Sequence, residues 1–149
     1  MVSNGMSLVW FQASIFVVDA LTSFATGTSW GTMAILIPTA VPVAFSLDGD
    51  TYGLTTVICL GAVLDGSIFG DHCSPISDTT IMGSISSSCD HIHHVRTQLP
   101  YSLTVAGLAI ACGYLPAAFG FPSWGLITCA TGIIVLIFLL VAKSVVDSG

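Results

Sequence analysis

The segment FGDHCSPISDTT, Phe69 to Thr80, holds Asp71, Asp78, His72, a proline and the hydroxyls of Ser74, Ser77, Thr79 and Thr80 directly after an apolar run. Those residue types suit one kind of chemistry. A hard cation is held by several oxygens, which carboxylates, hydroxyls and free backbone carbonyls supply. A carboxylate takes a proton on the same oxygens, so cation and proton compete for one site. In hydrocarbon such a segment is costly, because unpaired backbone groups find no water and ionisable groups there usually mark an ion or substrate path.

The composition places the segment in a membrane. Of 149 residues 54% are hydrophobic and 7% charged, against about 25% charged in soluble domains, and the mean hydropathy is +0.95. A soluble domain is excluded on these values. All eight acidic residues are aspartates, and Arg96 and Lys143 are the only full-time cations, so no basic patch exists for nucleic acid. Cys59, Cys73, Cys89, Cys112 and Cys129 form no C-x-x-C pair, which argues against a zinc ribbon or a disulfide framework. The start MVSNGMSLVWFQASIFVV has no Lys or Arg before its apolar stretch and so lacks the basic region of a signal peptide.

About 20 apolar residues make a membrane-crossing helix. The pattern predicts an all-α polytopic bundle with spans at 6–25, 30–46, 52–69, 99–119 and 122–142, the third broken at 70–78 and resuming over 79–88. Pro38 and Pro42 are expected to kink or divide the second span. The run Asp48, Gly49, Asp50 reads as an aqueous turn. Gly70 suits the end of the first half of the broken helix, and Ser77 or Asp78 suits the cap of the second. Arg96 and Lys143 flank the uncharged pair of spans from Thr97 to Ala142, which puts that face in the cytoplasm.

A helix broken in mid-membrane presents carbonyls at one end and N–H groups at the other, which is how many transporters build ion sites. Asp71 and Asp78 are then expected to share a cation and proton site with the nearby hydroxyls and the freed carbonyls of Ser67 to Phe69. With the helix ends setting the local charge, Asp71 is the expected proton carrier and Asp78 the standing anion. Asp65, two turns earlier, is a candidate relay, while Asp19 reads as a hydrogen-bonded bridge between helices. The polar TGTSWGT stretch offers Thr28 and Ser29 as further site-lining groups. Cys89, Asp90, His91, His93 and His94 form the one dense metal-type cluster. A membrane metal-binding protein is therefore a competing reading, beside histidines that titrate near neutrality and sense pH.

The strings ATGTSWGTMAILIPTAVPVA (Ala25 to Ala44), GDHCSPISDTTIM and CDHIHHVRTQLPY (Gly70 to Tyr101) resemble the C-terminal region of the NhaC family of sodium/proton antiporters. The resemblance implies a multi-pass inner-membrane secondary transporter that exchanges Na+ for H+, with Na+ at Asp71 and Asp78 and no resident cofactor. Some members of that family move small carboxylates such as malate and lactate, which makes sodium-coupled carboxylate exchange the alternative. It implies a longer protein whose N-terminal part is missing here, in the lipid bilayer, with a homo-oligomer left open. His93 departs from the pattern, since family members usually carry an aspartate at that position.

Overall fold

The computed structural model describes residues 3–146, with side chains described over 10–117 and 119–140. Among these residues the chain is helical: α1 (Ser3–Thr26), α2 (Ser29–Leu47), α3 (Leu54–Cys73), α4 (Asp78–Ser86), α5 (His91–Leu108), a π-helical turn (Ala109–Tyr114), α6 (Leu115–Ala118) and α7 (Ser123–Val146). Four of the helical segments are long and apolar enough to cross a membrane: Ser29–Leu47, Leu54–Cys73, His91–Ala117 and Ser123–Leu140. Their outward faces are apolar as well, with Leu136, Phe138 and Leu140 exposed on α7. Such faces suit lipid or further protein and not water.

The core is the seam between α1 and α3. Gly66 lies against Asp19 and Gly70 against Ser23, so the two helices run parallel in register. The facing positions on α3, Ala62, Gly66 and Gly70, recur every fourth residue and are all buried. Small residues at that spacing let helix backbones approach closely, which replaces the hydrophobic drive that is missing between helices in lipid. At Gly70 the approach is so close that a Cβ would overlap the backbone of Ser23 and Phe24.

α2 returns antiparallel along α3, burying Ala40 and Ala44 against Cys59 and Val63. The turn between them is held by Asp48, whose Oδ2 accepts from the Thr56 N–H at 2.7 Å and the Thr56 hydroxyl at 2.8 Å. Slight burial pushes the Asp48 carboxyl upward, but the hydrogen bonds from Thr55 and Thr56 outweigh it and hold the group below its usual range. Pro38 and Pro42 do not divide α2, which is continuous from Ser29 to Leu47. The prolines are four apart and exposed on one face, and the carbonyls they free, at Ala34 and Pro38, lie on that face as well.

Three boundaries differ from those expected. α3 continues through Gly70 to Cys73 with Ser74 as its C-cap, so Gly70 serves close packing instead of ending the helix. α4 spans Asp78–Ser86, two residues short of the expected end. α5 starts at His91 and not at 99, because Asp90 caps it by accepting from the His93 N–H at 2.8 Å. The span then widens into the π-helical turn just before Pro116, whose ring would clash with a regular helix at that point. Lys143, expected to flank the final span, has a side chain outside the described residues.

Candidate functional site

Two backbone breaks meet at one level of the bundle. α1 ends at Gly27, which has φ of +70°, a left-handed conformation natural to glycine. A Cβ on Gly27 would lie 2.7 Å from the Ile76 carbonyl oxygen, so the α1–α2 break rests directly on the α3–α4 break. Ser74 ties them together, its Oγ donating to the Phe24 carbonyl at 2.7 Å. The TGTSWGT stretch is thus the hairpin turn between α1 and α2, and it rests on the break that GDHCSPISDTT makes between α3 and α4.

Asp71 sits at that crossing, in the last turn of α3, half-buried. Its carboxylate accepts from the Ser29 hydroxyl at 2.5 Å, the Ser29 N–H at 3.3 Å and the Ser77 hydroxyl at 3.1 Å. Ser29 is the first residue of α2, so one of its orphan N-terminal donors points at this carboxylate. The Asp71 carbonyl in turn accepts from the hydroxyls of Ser77 at 3.2 Å, Thr79 at 2.8 Å and Thr80 at 2.7 Å. One residue therefore gathers the oxygens of four hydroxyl side chains from α2 and from the start of α4, in the number and chemistry a hard cation needs.

The remaining expected residues are arranged differently. Asp78 opens α4 with an exposed side chain and has no hydrogen bond to the Asp71 cluster among the described residues. Ser77 occupies the N-cap position without capping, because its hydroxyl is spent on Asp71 and on Thr79 at 2.9 Å. Thr28 caps α2, accepting from the Gly31 N–H at 3.4 Å. The freed carbonyls of Ser67 and Phe69 are already occupied by Ser23 Oγ and by Cys73 Sγ. The carbonyl available to the site is that of Asp71 itself.

Asp65 stands on another face of α3, where Tyr114 Oη donates to its Oδ2 at 2.5 Å. Asp65 and His72 line a cavity of about 510 Å³ between α3 and α5, together with Gln98, Tyr101 and Ser102. His72 thereby separates from the Asp71 cluster. The sequence did not single out Tyr114 as the partner of Asp65, since the two lie 49 residues apart and nothing local marks the pairing.

The Cys89 to His94 cluster does not assemble: no three His, Cys, Asp or Glu side chains come together as metal ligands among the described residues. Helix formation from His91 points His93 away from His91. His93 is exposed, and Asp90 is engaged as a cap. His91 instead braces the break, with Nε2 2.7 Å from the Pro75 carbonyl oxygen and Nδ1 3.2 Å from Ser84 Oγ. Nε2 faces a carbonyl and so must be the donor in this pair.

Apolar helices of membrane-crossing length, with a hairpin turn and a helix break meeting around a carboxylate, resemble the way secondary transporters build ion sites. The comparisons with known proteins supply the family. The Na+/H+ antiporter family matches residues 3–118, and the chain belongs to that family. An uncharacterized protein of Haemophilus influenzae is 41% identical over 139 residues, covering 93% of this chain and 26% of that protein. The malate-2H(+)/Na(+)-lactate antiporter of Bacillus subtilis is 36% identical over 93 residues, 62% of this chain and 19% of the relative. The Na(+)/H(+) antiporter NhaC of Alkalihalophilus pseudofirmus is 33% identical over 95 residues, 62% of this chain and 20% of the relative. The chain spans about a quarter or less of the length of these relatives. No solved structure matches.

Proposed function

We propose that the protein exchanges Na+ for H+ across the cell's inner membrane, with both ions competing for the oxygens around Asp71. The single observation that carries this reading is the convergence of Ser29, Ser77, Thr79 and Thr80 on one aspartate where two helix breaks cross. The carboxylate is the group whose charge changes on protonation. The hydroxyls and the Asp71 carbonyl are neutral ligands that turn from one another toward an arriving ion. Asp78, exposed at the first turn of α4, acts as the standing anion that draws the cation in. The remaining part of the transporter, beyond this chain, completes the coordination and the second access route.

The test is sodium-driven proton flux in proteoliposomes of the full-length protein. Asp71→Asn is expected to abolish coupled flux, and Asp78→Asn to weaken sodium affinity while leaving coupling in place. Full coupled flux in Asp71→Asn would refute the assignment.

A second reading, sodium-coupled exchange of small carboxylates, is supported by the similarity to a malate-2H(+)/Na(+)-lactate antiporter and by the N-termini of α2 and α4 beside the site, since helix N-termini favour carboxylates. Acceleration of sodium-driven proton movement by malate or lactate on the opposite side of the vesicle would establish it.

A further inference from the structure

Asp19 takes no part in the site just described, yet it is the one aspartate among the described residues that is fully buried. Its side chain has no solvent exposure. One carboxyl oxygen, Oδ2, accepts from Ser67 Oγ at 2.9 Å; the other, Oδ1, has no hydrogen-bond partner. There is no slack for a bridging water on the α3 side, because a Cβ on Gly66 would already lie 2.6 Å from Oδ2. A buried carboxylate is tolerated when a positive charge or several donors face it, and one left with neither costs several kcal/mol.

The elements around Asp19 supply no cation. α2 carries no titratable residue from Ser29 to Leu47. α3 brings Asp65, adjacent to Gly66, and the thiols of Cys59 and Cys73; its Asp71 is engaged with Ser29, and its one histidine, His72, is exposed on the α3–α5 cavity. The π-helical turn brings Tyr114, stacked on Phe16 with ring centroids 5.2 Å apart and with its hydroxyl committed to Asp65. α5 carries Arg96, which is exposed near its start. The neighbours are acids, thiols and a phenol. The environment therefore suits the neutral carboxyl, because an unpaired Oδ1–H costs less there than an unpaired anion.

The surroundings of Asp19 are also tied to the crossing. Ser67, its one donor, accepts through its carbonyl from Ser23 Oγ, and Ser23 holds the Gly27 N–H at 2.8 Å at the end of α1. These contacts form a continuous hydrogen-bonded path from Asp19 to the end of α1.

We propose that Asp19 is a second proton-carrying group of the transporter, neutral while α1 and α3 are closed and ionised when they part. The inference rests on the antiport reading. On opening, the Oδ1–H bond breaks and the proton passes to water, leaving a carboxylate that keeps the Ser67 hydrogen bond. On return to the closed state the carboxylate must take a proton back, because the dry seam does not accept the anion.

Infrared difference spectroscopy of the full-length protein in nanodiscs, titrated from acid to alkaline pH without sodium, tests this directly. The wild type is expected to lose a protonated-carboxyl stretch that is missing from Asp19→Asn and retained in Asp71→Asn. Ser67→Ala keeps the carboxyl but removes its donor, so the same band must shift in frequency. A band that persists unchanged in Asp19→Asn, that does not move in Ser67→Ala, or that is assigned to Asp19 but never titrates overturns the proposal and leaves Asp19 a static bridge. Failure of the antiport reading shows separately, as the absence of any sodium-induced spectral change or sodium-driven flux in the wild type.

Discussion

Replacing Gly70 by alanine tests the close crossing on which the site depends. The added Cβ would overlap Ser23 Oγ and, more seriously, the backbone of Ser23 and Phe24. A side chain can rotate away from such an overlap and a backbone cannot, so the seam itself must open. Overpacking of this kind costs about 1–3 kcal/mol, and the backbone contact puts Gly70→Ala at the upper end. Gly61 on the same helix is the internal control. An alanine there meets nothing within 4 Å, and replacing a helix-interior glycine by alanine stabilises by about 0.5–1 kcal/mol. Unfolding in mixed micelles, followed by circular dichroism, should separate the two variants by about 2–4 kcal/mol in opposite directions from wild type. Equal stability of Gly70→Ala and wild type would refute the close α1–α3 approach and with it the placement of Ser29 beside Asp71.

Ser29→Ala removes the 2.5 Å hydrogen bond to the Asp71 carboxylate; bonds to charged groups contribute about 1.5–3 kcal/mol, so apparent sodium affinity should change by roughly tenfold or more in equilibrium binding. The Asp65–Tyr114 bond should give a coupling of similar size in a double-mutant cycle of Asp65→Asn and Tyr114→Phe scored by unfolding. Asp48 is held below its ordinary range in the fold, so it binds fewer protons folded than unfolded. Its stabilisation is complete above the ordinary carboxylate pKa of about 3.9 and declines as pH falls through the lower folded value. Asp48→Asn should flatten that acid limb of the stability curve, and an unchanged limb would contradict the assignment. His91→Ala should loosen the α3–α4 break by removing the contact to the Pro75 carbonyl, read as faster amide exchange over residues 76–80.

Much of the architecture was legible because apolar length is the first requirement of a membrane helix. The runs that became α2, α3 and α7 announce themselves, and Pro75 beside two aspartates marks the break. Boundaries were harder. Gly70 reads as a terminator from local propensity, but its partner is Ser23, 47 positions away, and close packing overrides the local signal. The pairing of Ser29 with Asp71 spans 42 residues and has no local trace, although both segments were suspected separately. Asp78 was expected to share one site with Asp71, because composition cannot tell which of two aspartates a helix end turns inward. His91 and His93 looked like a metal pair until the helix that Asp90 caps separated them. Asp19 was read as a bridge from its place inside an apolar span, and only the fold shows that Ser67, 48 residues away on α3, is its one partner.

The central claim is that one set of oxygens around Asp71 serves both ions, and sodium affinity measured as a function of pH on the purified full-length protein tests it most directly. The account predicts that sodium binding weakens steadily on acidification in the wild type and that Asp71→Asn removes this dependence along with most of the affinity. Sodium binding that is indifferent to pH in the wild type, or that keeps its full pH dependence in Asp71→Asn, would contradict it.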